Sequence, residues 1–245
     1  MGVAAREGGA DGISLINTIN SIVGIDLDTL VPRPVVDGKS GHGGYCGPAV
    51  KPIALNMVSA IAKHPGIQIP ISGIGGIATW QDAAEFLLLG ASSLQVCTAV
   101  MHHGFRIVED LVDGLSNWMD QKGFANLEAV RGLSLPRVSD WGDLNLNYKV
   151  VATIHPEKCI GCHLCYVACE DGAHQSIALA PGVKVPEVIE HKCVGCNLCM
   201  LVCPVPGCIT MDEIETGRAP QSWRAYQEAL GKGVACEPPG ERPQH

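Results

Sequence analysis

The sequence predicts an α/β domain with a parallel sheet, followed by a smaller α+β domain built around cysteines. Two observations predict this class. Short apolar segments alternate with amphipathic segments over residues 1–132, which is typical of strands joined by helices in a parallel sheet. Further along, one cysteine motif occurs twice between Cys159 and Cys203. The chain of 245 residues is long enough for both domains.

Changes in composition predict the domain boundaries. A polar segment of low periodicity that contains Pro136 separates the two domains, and a Pro- and Gly-rich segment closes the chain. We therefore expect a partial barrel at 1–132, a linker at 133–147, a cysteine-rich domain at 148–214 and a C-terminal tail at 215–245.

Hydrophobic periodicity and capping signals predict the elements of the first domain. Thr79 and Asp82 have the spacing of a capping box at the start of a helix, and Gly90 and Gly123 follow the last periodic residues of two helices. The predicted elements are strands at 13–16, from residue 70 and at 93–97, and helices at 48–64, 79–89 and 105–122, with a further short helix at 222–230 in the tail.

The repeated motif has the cysteine spacing of proteins that bind two iron–sulfur clusters. Both copies follow C-x₂-C-x₂-C-x₃-C, the spacing with which bacterial ferredoxins hold two [4Fe–4S] clusters. Three sulfurs of each copy face one cluster, and the fourth ligates the other cluster. The first predicted quartet is Cys159, Cys162, Cys165 and Cys203, and the second predicted quartet is Cys169, Cys193, Cys196 and Cys199.

Other interpretations of the cysteines are weaker. A disulfide framework would need an oxidising compartment, zinc sites favour two cysteine pairs, and neither copy is degenerate enough to indicate a single cluster. The usual proline after the fourth cysteine is present at Pro204 but is Glu170 in the first copy. Cys208 fits neither quartet and is expected to be a buried, inert thiol.

Composition excludes some partners and indicates a compartment. The formal net charge is −8 and the chain has no basic stripe, which argues against nucleic-acid binding. No apolar run approaches the ~20 residues of a membrane span. Twelve cysteines, eight of them in the repeated motif, indicate a reducing cytoplasm.

Glycine-rich loops in the first domain predict a phosphate site. The runs 41–47 and 72–77 each precede a predicted helix, and Thr98 ends a strand with a hydroxyl and an N–H group. A (β/α)₈ barrel commonly binds phosphate with the loops after its last two strands. Ordinary βα turns also use glycine, so this alternative stays open.

Four segments then show a family resemblance. The segments 9–18, 47–55, 72–77 and 95–99 resemble the dihydroorotate and dihydropyrimidine dehydrogenase superfamily. With the ferredoxin-like domain behind them, the chain is similar to the catalytic subunits of bacterial NAD-dependent dihydropyrimidine dehydrogenases. The resemblance covers residues 8 to about 218.

The resemblance implies an oxidoreductase of pyrimidine catabolism. It implies strands 6–8 of an FMN-binding (β/α)₈ TIM barrel, and reduction of uracil or thymine to the 5,6-dihydropyrimidine. Electrons would pass from NADH through an FAD-containing partner subunit and two [4Fe–4S] clusters to FMN, in a hetero-oligomer.

The resemblance also implies roles for individual residues. Asn17 and Thr18 match the pair that binds the pyrimidine, although a helix cap or a turn is another interpretation. The positions that match the FMN phosphate site are Gly47, Gly75, Gly76, Cys97 and Thr98.

The family's catalytic proton donor is not expected in this chain. It is a cysteine on a loop in the first half of the barrel, and Cys46 lies in the region of the sixth strand instead. A full barrel takes ~250 residues, so we expect this sequence to be the C-terminal part of a longer subunit. The alternatives are a non-catalytic ferredoxin-type electron carrier and a dihydroorotate dehydrogenase-like enzyme.

Overall fold

The structure, a computed structural model, describes residues 1–172 and 174–240. The chain divides into two compact units, Met1–Val138 and Ser139–His245. The domain boundaries given above stay predictions, and residues 241–245 of the predicted tail lie outside the described residues.

The first unit consists of short strands and six- to sixteen-residue helices. In chain order its elements are α1 (Gly2–Glu7), β1 (Ile13–Leu15), β2 (Ile19–Ser21), β3 (Gly24–Asp26), β4 (Val31–Arg33), β5 (Gly43–Tyr45), α2 (Lys51–Lys63), β6 (Ile71–Ile74), α3 (Trp80–Leu88), β7 (Ser93–Gln95), α4 (Thr98–His103) and α5 (Ile107–Lys122).

Three of these strands form a parallel sheet in the order β1-β6-β7. The register pairs Ile13 with Ile71 and Ser72 with Ser93. Helix α2 connects β1 to β6 and helix α3 connects β6 to β7, which is the repeated β-α-β unit of α/β folds. The predicted α/β class is confirmed, while the assignment of these strands to positions 6–8 of a barrel stays a prediction.

A compact apolar core lies between the sheet and the helices. Phe86 of α3 and Val58 of α2 are fully buried in it. The remaining buried members are Leu15, Ile16, Ala54, Ile71, Ile77, Ala83, Ala91 and Leu111. Burial of these side chains fixes α2 and α3 against the same face of the sheet, and so fixes where the strands end.

The segment between β1 and α2 forms two small antiparallel ladders. Strand β2 pairs with β5, and β3 pairs with β4. Many of its large apolar side chains are exposed: Ile22, Val23, Ile25, Leu27, Leu30, Val35, Val36 and Tyr45. We did not predict these strands, because three-residue strands show too little of the two-residue period.

The second unit is a pair of similar halves. Its elements are β8 (Lys149–Ile154), α6 (Leu164–Glu170), β9 (Ile177–Ala178), β10 (Glu187–Val188), α7 (Leu198–Leu201), β11 (Ile209–Ile214) and α8 (Trp223–Gly231). Strand β8 pairs antiparallel with β11, and β9 pairs antiparallel with β10. Among the described residues, no helix in either unit has the length and apolar character that a membrane crossing requires.

Residues after β11 are held against the start of the second unit. Asn147 donates a side-chain hydrogen bond to the Ala219 carbonyl and accepts one from the Gly240 N–H. Arg224 of α8 forms ion pairs with Asp140 and Asp143. These contacts connect the predicted linker and the described part of the predicted tail.

Candidate functional site

A large cavity opens at the carboxyl ends of the three parallel strands. Its volume is about 540 Å³. Asn17 follows β1, Gly75 follows β6 and Cys97 follows β7, so each strand delivers one lining residue at its end. The carboxyl edge of a parallel sheet is where α/β folds bind their ligands. We call this space the strand-end cavity.

The strand-end cavity brings together every substrate- and FMN-site residue predicted in the first unit. The seven residues are Asn17, Thr18, Gly47, Gly75, Gly76, Cys97 and Thr98. They are separated by up to 81 positions in the sequence, yet all seven line the same cavity. Their individual roles stay predictions.

Three glycines give the cavity a wall of bare backbone. Gly47, Gly75 and Gly76 have φ angles of 87°, 132° and 78°, which are rare for residues with side chains. A Cβ on Gly76 would lie 2.7 Å from the Gly47 carbonyl oxygen, and one on Gly75 would lie 2.8 Å from the Ala54 Cβ. Side chains are therefore excluded at both positions, and a ligand can approach the main chain.

An ion-pair network holds the helix starts beside this wall. Lys51 Nζ lies 2.5 Å from a carboxylate oxygen of Asp82 and 2.9 Å from one of Glu85. The other Asp82 oxygen accepts hydrogen bonds from the N–H groups of Ala78 and Thr79, which completes the predicted capping box of α3. The network connects the first turn of α2 to the first turn of α3.

The opposite charges in this network stabilise the ionised forms of both Lys51 and Asp82. Burial alone would raise the pKa of Asp82, but the hydrogen bonds from Lys51 and from the α3 start outweigh it, and the net pKa is lowered. The Asp82 and Glu85 carboxylates raise the pKa of Lys51. Sequence reasoning found Asp82 through its cap but missed Lys51, because a pair 31 residues apart leaves no local pattern.

The three strands are also connected by one polar side chain. Gln95 Nε2 on β7 donates hydrogen bonds of 2.8 Å to Ser14 Oγ on β1 and to Ser72 Oγ on β6. Ser14 and Gln95 line the strand-end cavity. Both amide hydrogens are used, so the Gln95 carboxamide has a fixed orientation. The sequence analysis assigned no individual role to any of these three residues.

Helix α4 and the residue after β5 also line the cavity. Met101, His102 and His103 of α4 and Cys46 after β5 line it. We did not predict α4, because a six-residue helix gives less than two turns of periodicity before Gly104 ends it. Asn17 Oδ1 accepts a 2.7 Å hydrogen bond from the Thr18 N–H, which orients the first residue of the predicted substrate pair.

The strand-end cavity fits an FMN-sized ligand. Its volume lies within the range of about 300–1,000 Å³ that is typical of ligand and cofactor sites. The glycine wall offers backbone N–H groups, which suit a phosphate. The residues present are therefore compatible with this cofactor.

The eight motif cysteines line two separate cavities in the second unit. The first quartet, with Cys159, Cys162, Cys165 and Cys203, lines one of them. The second quartet, with Cys169, Cys193, Cys196 and Cys199, lines the other. The grouping is the one that cross-ligation predicts, with the fourth cysteine of each copy in the cavity of the other copy. We call these spaces the first and second cysteine cavities.

The two cysteine loops have the same backbone conformation. Gly161 and Gly195 have φ angles of 73° and 69°, and His163 and Asn197 have φ angles of 60° and 67°. A Cβ on Gly195 would lie 2.7 Å from the Val150 carbonyl oxygen. A Cβ on Gly161 would lie 2.8 Å from Lys184 Cγ, so each loop packs closely against a neighbouring segment.

Buried thiols in these cavities resist ionisation in the metal-free chain. Burial, with smaller contributions from neighbouring Cys193, Cys196 and Cys165, raises the pKa of Cys199 to about 11. Burial also raises the pKa of Cys165. Metal ligation requires thiolates, so loading of these sites releases protons. Cys165 and Cys169 of the same helix line different cavities, so the two cavities are neighbours.

The donor set fits clusters better than single ions. All twelve cysteines are free thiols. Within residues 1–172 and 174–240, no three His, Cys, Asp or Glu side chains converge closely enough to hold a single metal ion. A cubane spaces its four thiolates more widely than one ion does, and two sets of four cysteines match two cubanes.

Comparison with protein families divides the chain in the same way. Residues 1–119 match the model of the dihydroorotate dehydrogenase family, and residues 152–211 match the 4Fe-4S dicluster domain. The predicted resemblance is confirmed by these matches.

Individual relatives extend the comparison. The chain is 48% identical over 214 residues to the NAD-dependent dihydropyrimidine dehydrogenase subunit PreA of Escherichia coli (strain K12), which covers 87% of this chain and 52% of the relative. It is 45% identical over 135 residues to the catalytic subunit of dihydroorotate dehydrogenase B (NAD(+)) of Pyrococcus abyssi, covering 55% of this chain and 43% of the relative. The chloroplastic dihydropyrimidine dehydrogenase (NADP(+)) of Arabidopsis thaliana is 46% identical over 142 residues, covering 56% of this chain and 33% of the relative. The chain thus spans about half the length, or less, of these relatives.

Proposed function

We propose that this chain, which belongs to the dihydroorotate dehydrogenase superfamily and carries a 4Fe-4S dicluster domain, functions in the reduction of pyrimidines. The proposed reaction converts uracil or thymine to the 5,6-dihydropyrimidine. Electrons would come from NADH through an FAD-containing partner subunit in a hetero-oligomer. We propose the reducing cytoplasm as its compartment, since eight of its twelve cysteines stand in the cluster motifs and such thiols need a reducing environment.

One observation carries the choice of a dihydropyrimidine over dihydroorotate. The similarity to the dihydropyrimidine dehydrogenase subunit of Escherichia coli covers 87% of the chain, whereas the similarity to the dihydroorotate dehydrogenase catalytic subunit of Pyrococcus abyssi covers 55%. A match of 214 residues must include cysteine-motif residues as well as barrel residues. The full combination of domains therefore supports the dihydropyrimidine reaction.

The strand-end cavity would hold the flavin and the substrate. When bound, FMN would supply hydride chemistry and the clusters would supply one-electron transfer. Gly47, Gly75 and Gly76 would present backbone to the FMN phosphate, together with Cys97 and Thr98. These five positions also match the phosphate site of the family.

Asn17 and Thr18 would orient the pyrimidine within the same cavity. A carboxamide can pair with the donor and acceptor groups on the edge of a uracil ring. The hydrogen bond from the Thr18 N–H to Asn17 Oδ1 holds the two residues as one unit. We assign no catalytic proton donor to this chain.

The cysteine cavities would carry the electrons. The first quartet, closed by Cys203, would ligate one [4Fe–4S] cluster, and the second quartet, which includes Cys169, would ligate the other. Helix α6 contributes Cys165 to the first cavity and Cys169 to the second, so the two cavities lie close together. Such proximity favours transfer of electrons between the clusters.

The experiment is reconstitution of the full chain, together with the half of the Escherichia coli relative that it does not match. We expect about eight irons per chain, bound FMN, and oxidation of a reduced donor that depends on uracil or thymine. Orotate in place of uracil is the substrate control. Eight irons without FMN would contradict the proposal and indicate an electron carrier, and activity with orotate alone would indicate a dihydroorotate dehydrogenase-like enzyme.

A further inference from the structure

A fifth cysteine lines the first cysteine cavity. Cys208 is 3% exposed and lies in the wall that the first quartet forms. Cys208 packs in one buried cluster with Cys159 and Cys203, and its Sγ donates only a long, 4.0 Å hydrogen bond to the His155 carbonyl oxygen. The sequence prediction of a buried thiol agrees with this placement, but the surroundings are those of the metal site.

The backbone fixes Cys208 in this position. The His155 N–H donates a 2.8 Å hydrogen bond to the Cys208 carbonyl, and the Cys208 N–H donates a 3.1 Å hydrogen bond to the Val205 carbonyl. Strand β11 begins at the next residue, Ile209. The main chain is therefore held at Cys208, and its side chain lines the first cysteine cavity together with Cys203 and Cys159.

The other half of the unit has a counterpart, Ser176. The Ile189 N–H donates a 2.7 Å hydrogen bond to the Ser176 carbonyl, and Ile189 stands four residues before Cys193 as His155 stands four residues before Cys159. Ser176 is also 3% exposed and lines the second cysteine cavity. Its N–H donates a 3.1 Å hydrogen bond to Cys169 Sγ. Each half thus places a small polar residue beside the cysteine that crosses over.

We propose that the Cys208 thiol is not a ligand but a hydrogen-bond donor to the Cys203 or Cys159 thiolate, and that it raises the reduction potential of the cluster in the first cysteine cavity. This rests on the proposed cluster ligation. Four cysteines already complete the first quartet, so no coordination position is left for Cys208. A ligated thiolate accepts hydrogen bonds, and a donor next to it stabilises the more negative, reduced cluster.

Redox titration of the reconstituted full chain, followed by electron paramagnetic resonance, tests this proposal. Cys208→Ala should keep about eight irons and shift one cluster potential to a more negative value, while the other potential is unchanged. Electron–nuclear double resonance in D₂O should show one exchangeable deuteron fewer near that cluster. Cys208→Ser should restore both the deuteron coupling and most of the potential, because a hydroxyl is also a donor.

Two variants serve as matched controls. Ser176→Ala removes the counterpart in the second cysteine cavity and should leave the potential that responds to Cys208→Ala unchanged. Cys236→Ala removes a cysteine that lines neither cavity and should change neither potential.

Two outcomes overturn the inference once the wild-type protein binds its clusters. Unchanged potentials and deuteron couplings in Cys208→Ala would show that the thiol only fills space. Loss of about four irons in both Cys208→Ala and Cys208→Ser would show a ligand. If wild-type protein itself binds no clusters, the proposed function fails before Cys208 is tested, so the two failures are distinguishable.

Discussion

Gly76 leaves no room for a methyl group beside the strand-end cavity. The nearest obstacles to a Cβ are the Gly47 carbonyl oxygen at 2.7 Å, in the loop before α2, and the Lys51 Cβ at 2.9 Å, in the first residue of α2. A side chain here would have to displace the loop that precedes α2. The glycine wall of the cavity thus requires a residue without a Cβ atom at position 76.

We expect Gly76→Ala to weaken FMN binding by about tenfold or more, because overpacking of this kind costs about 1–3 kcal/mol and displaces the Gly47 loop. Flavin fluorescence titration of the complemented protein measures this change. Gly123→Ala is the control, since Gly123 has a similar φ of 74° but no atom within 4 Å of its Cβ position. Equal FMN affinity in the two variants would show that the glycine wall does not contact the cofactor.

Asp82 makes the stability of the first unit depend on pH. We expect Asp82→Asn to lower the free energy of unfolding by about 1–3 kcal/mol at neutral pH, because Lys51 loses a partially buried partner. The fold lowers the pKa of Asp82 below its ordinary value of 3.8, so the stabilisation is complete above that value. It is lost as the pH falls towards the pKa of the folded state.

Urea unfolding at a series of pH values, followed by tryptophan fluorescence, measures this difference. The gap between wild type and Asp82→Asn should close as the pH falls below about 3.8. Asp113→Asn removes an exposed carboxylate from α5 and should change the free energy by less than about 0.5 kcal/mol. A gap that stays constant with pH would exclude the carboxylate charge as its origin.

Single residues differ in how well the sequence predicts them. Gly75, Gly76 and Thr98 were predicted to share a site because they follow strands in a recognisable order. Lys51 and Gln95 were not, since their partners are 31 and 81 residues away and no local pattern marks such pairs. Contacts of this kind follow from packing of the whole unit.

A single helix, α6, carries cysteines of both quartets. Cys165 points into the first cysteine cavity and Cys169 into the second, although they are four residues apart on the same helix. One seven-residue helix therefore lies between the two sites. A break in this helix would disturb both.

We expect Cys169→Ala to empty the second cysteine cavity and leave the first one loaded, although Cys169 belongs to the first copy of the motif. Iron content should fall from about eight to about four per chain. Alkylation followed by mass spectrometry should show Cys193 and Cys199 exposed to reagent, with Cys159 and Cys165 protected. The reverse pattern would mean that each copy of the motif ligates its own cluster.

Elements with strong local signals were predicted well. The capping box at Thr79 places the start of α3 at Trp80, and Gly123 in the left-handed region ends α5 at Lys122. The strands β2 to β5 and the helix α4 were missed. They have three to six residues each, which is too short for a hydrophobic period to be recognised.

The two units of the whole molecule have cores of different chemistry. The buried cluster of the first unit contains Phe86, Val58 and eight further apolar residues, and none of its buried members is a cysteine. That of the second unit contains four cysteines and three aliphatic residues. A core made largely of thiols gains much of its stability from the metal that they ligate.

We therefore expect removal of iron to unfold the second unit locally and to leave the first unit unchanged. Hydrogen exchange followed by mass spectrometry should show faster exchange in β8 and β11 after chelation, by about tenfold or more. Peptides from β1, β6 and α3 are the internal control and should exchange at the same rate before and after. Equal protection of β8 and β11 without iron would show that the thiol-rich core is stable alone.

The organisation of the molecule could be predicted from the sequence in outline. The cysteine spacing identifies the second unit, and the β-α alternation identifies the first. The contribution of α4 to the strand-end cavity could not be predicted, because His102 and His103 reach the cavity only through the position of this six-residue helix.

The grouping of the cysteines has a consequence for the order in which the protein is made. A ribosome completes the chain from its N-terminus, so Cys159, Cys162 and Cys165 are synthesised long before Cys203, the residue that closes their cavity. Cys169 likewise waits for Cys193, Cys196 and Cys199. Neither site can be closed by a nascent chain that ends before the second motif, and both become complete within four residues of each other, at Cys199 and Cys203. Under the proposed ligation, both sites are therefore completed almost together during synthesis, and a chain released before Cys199 would complete neither.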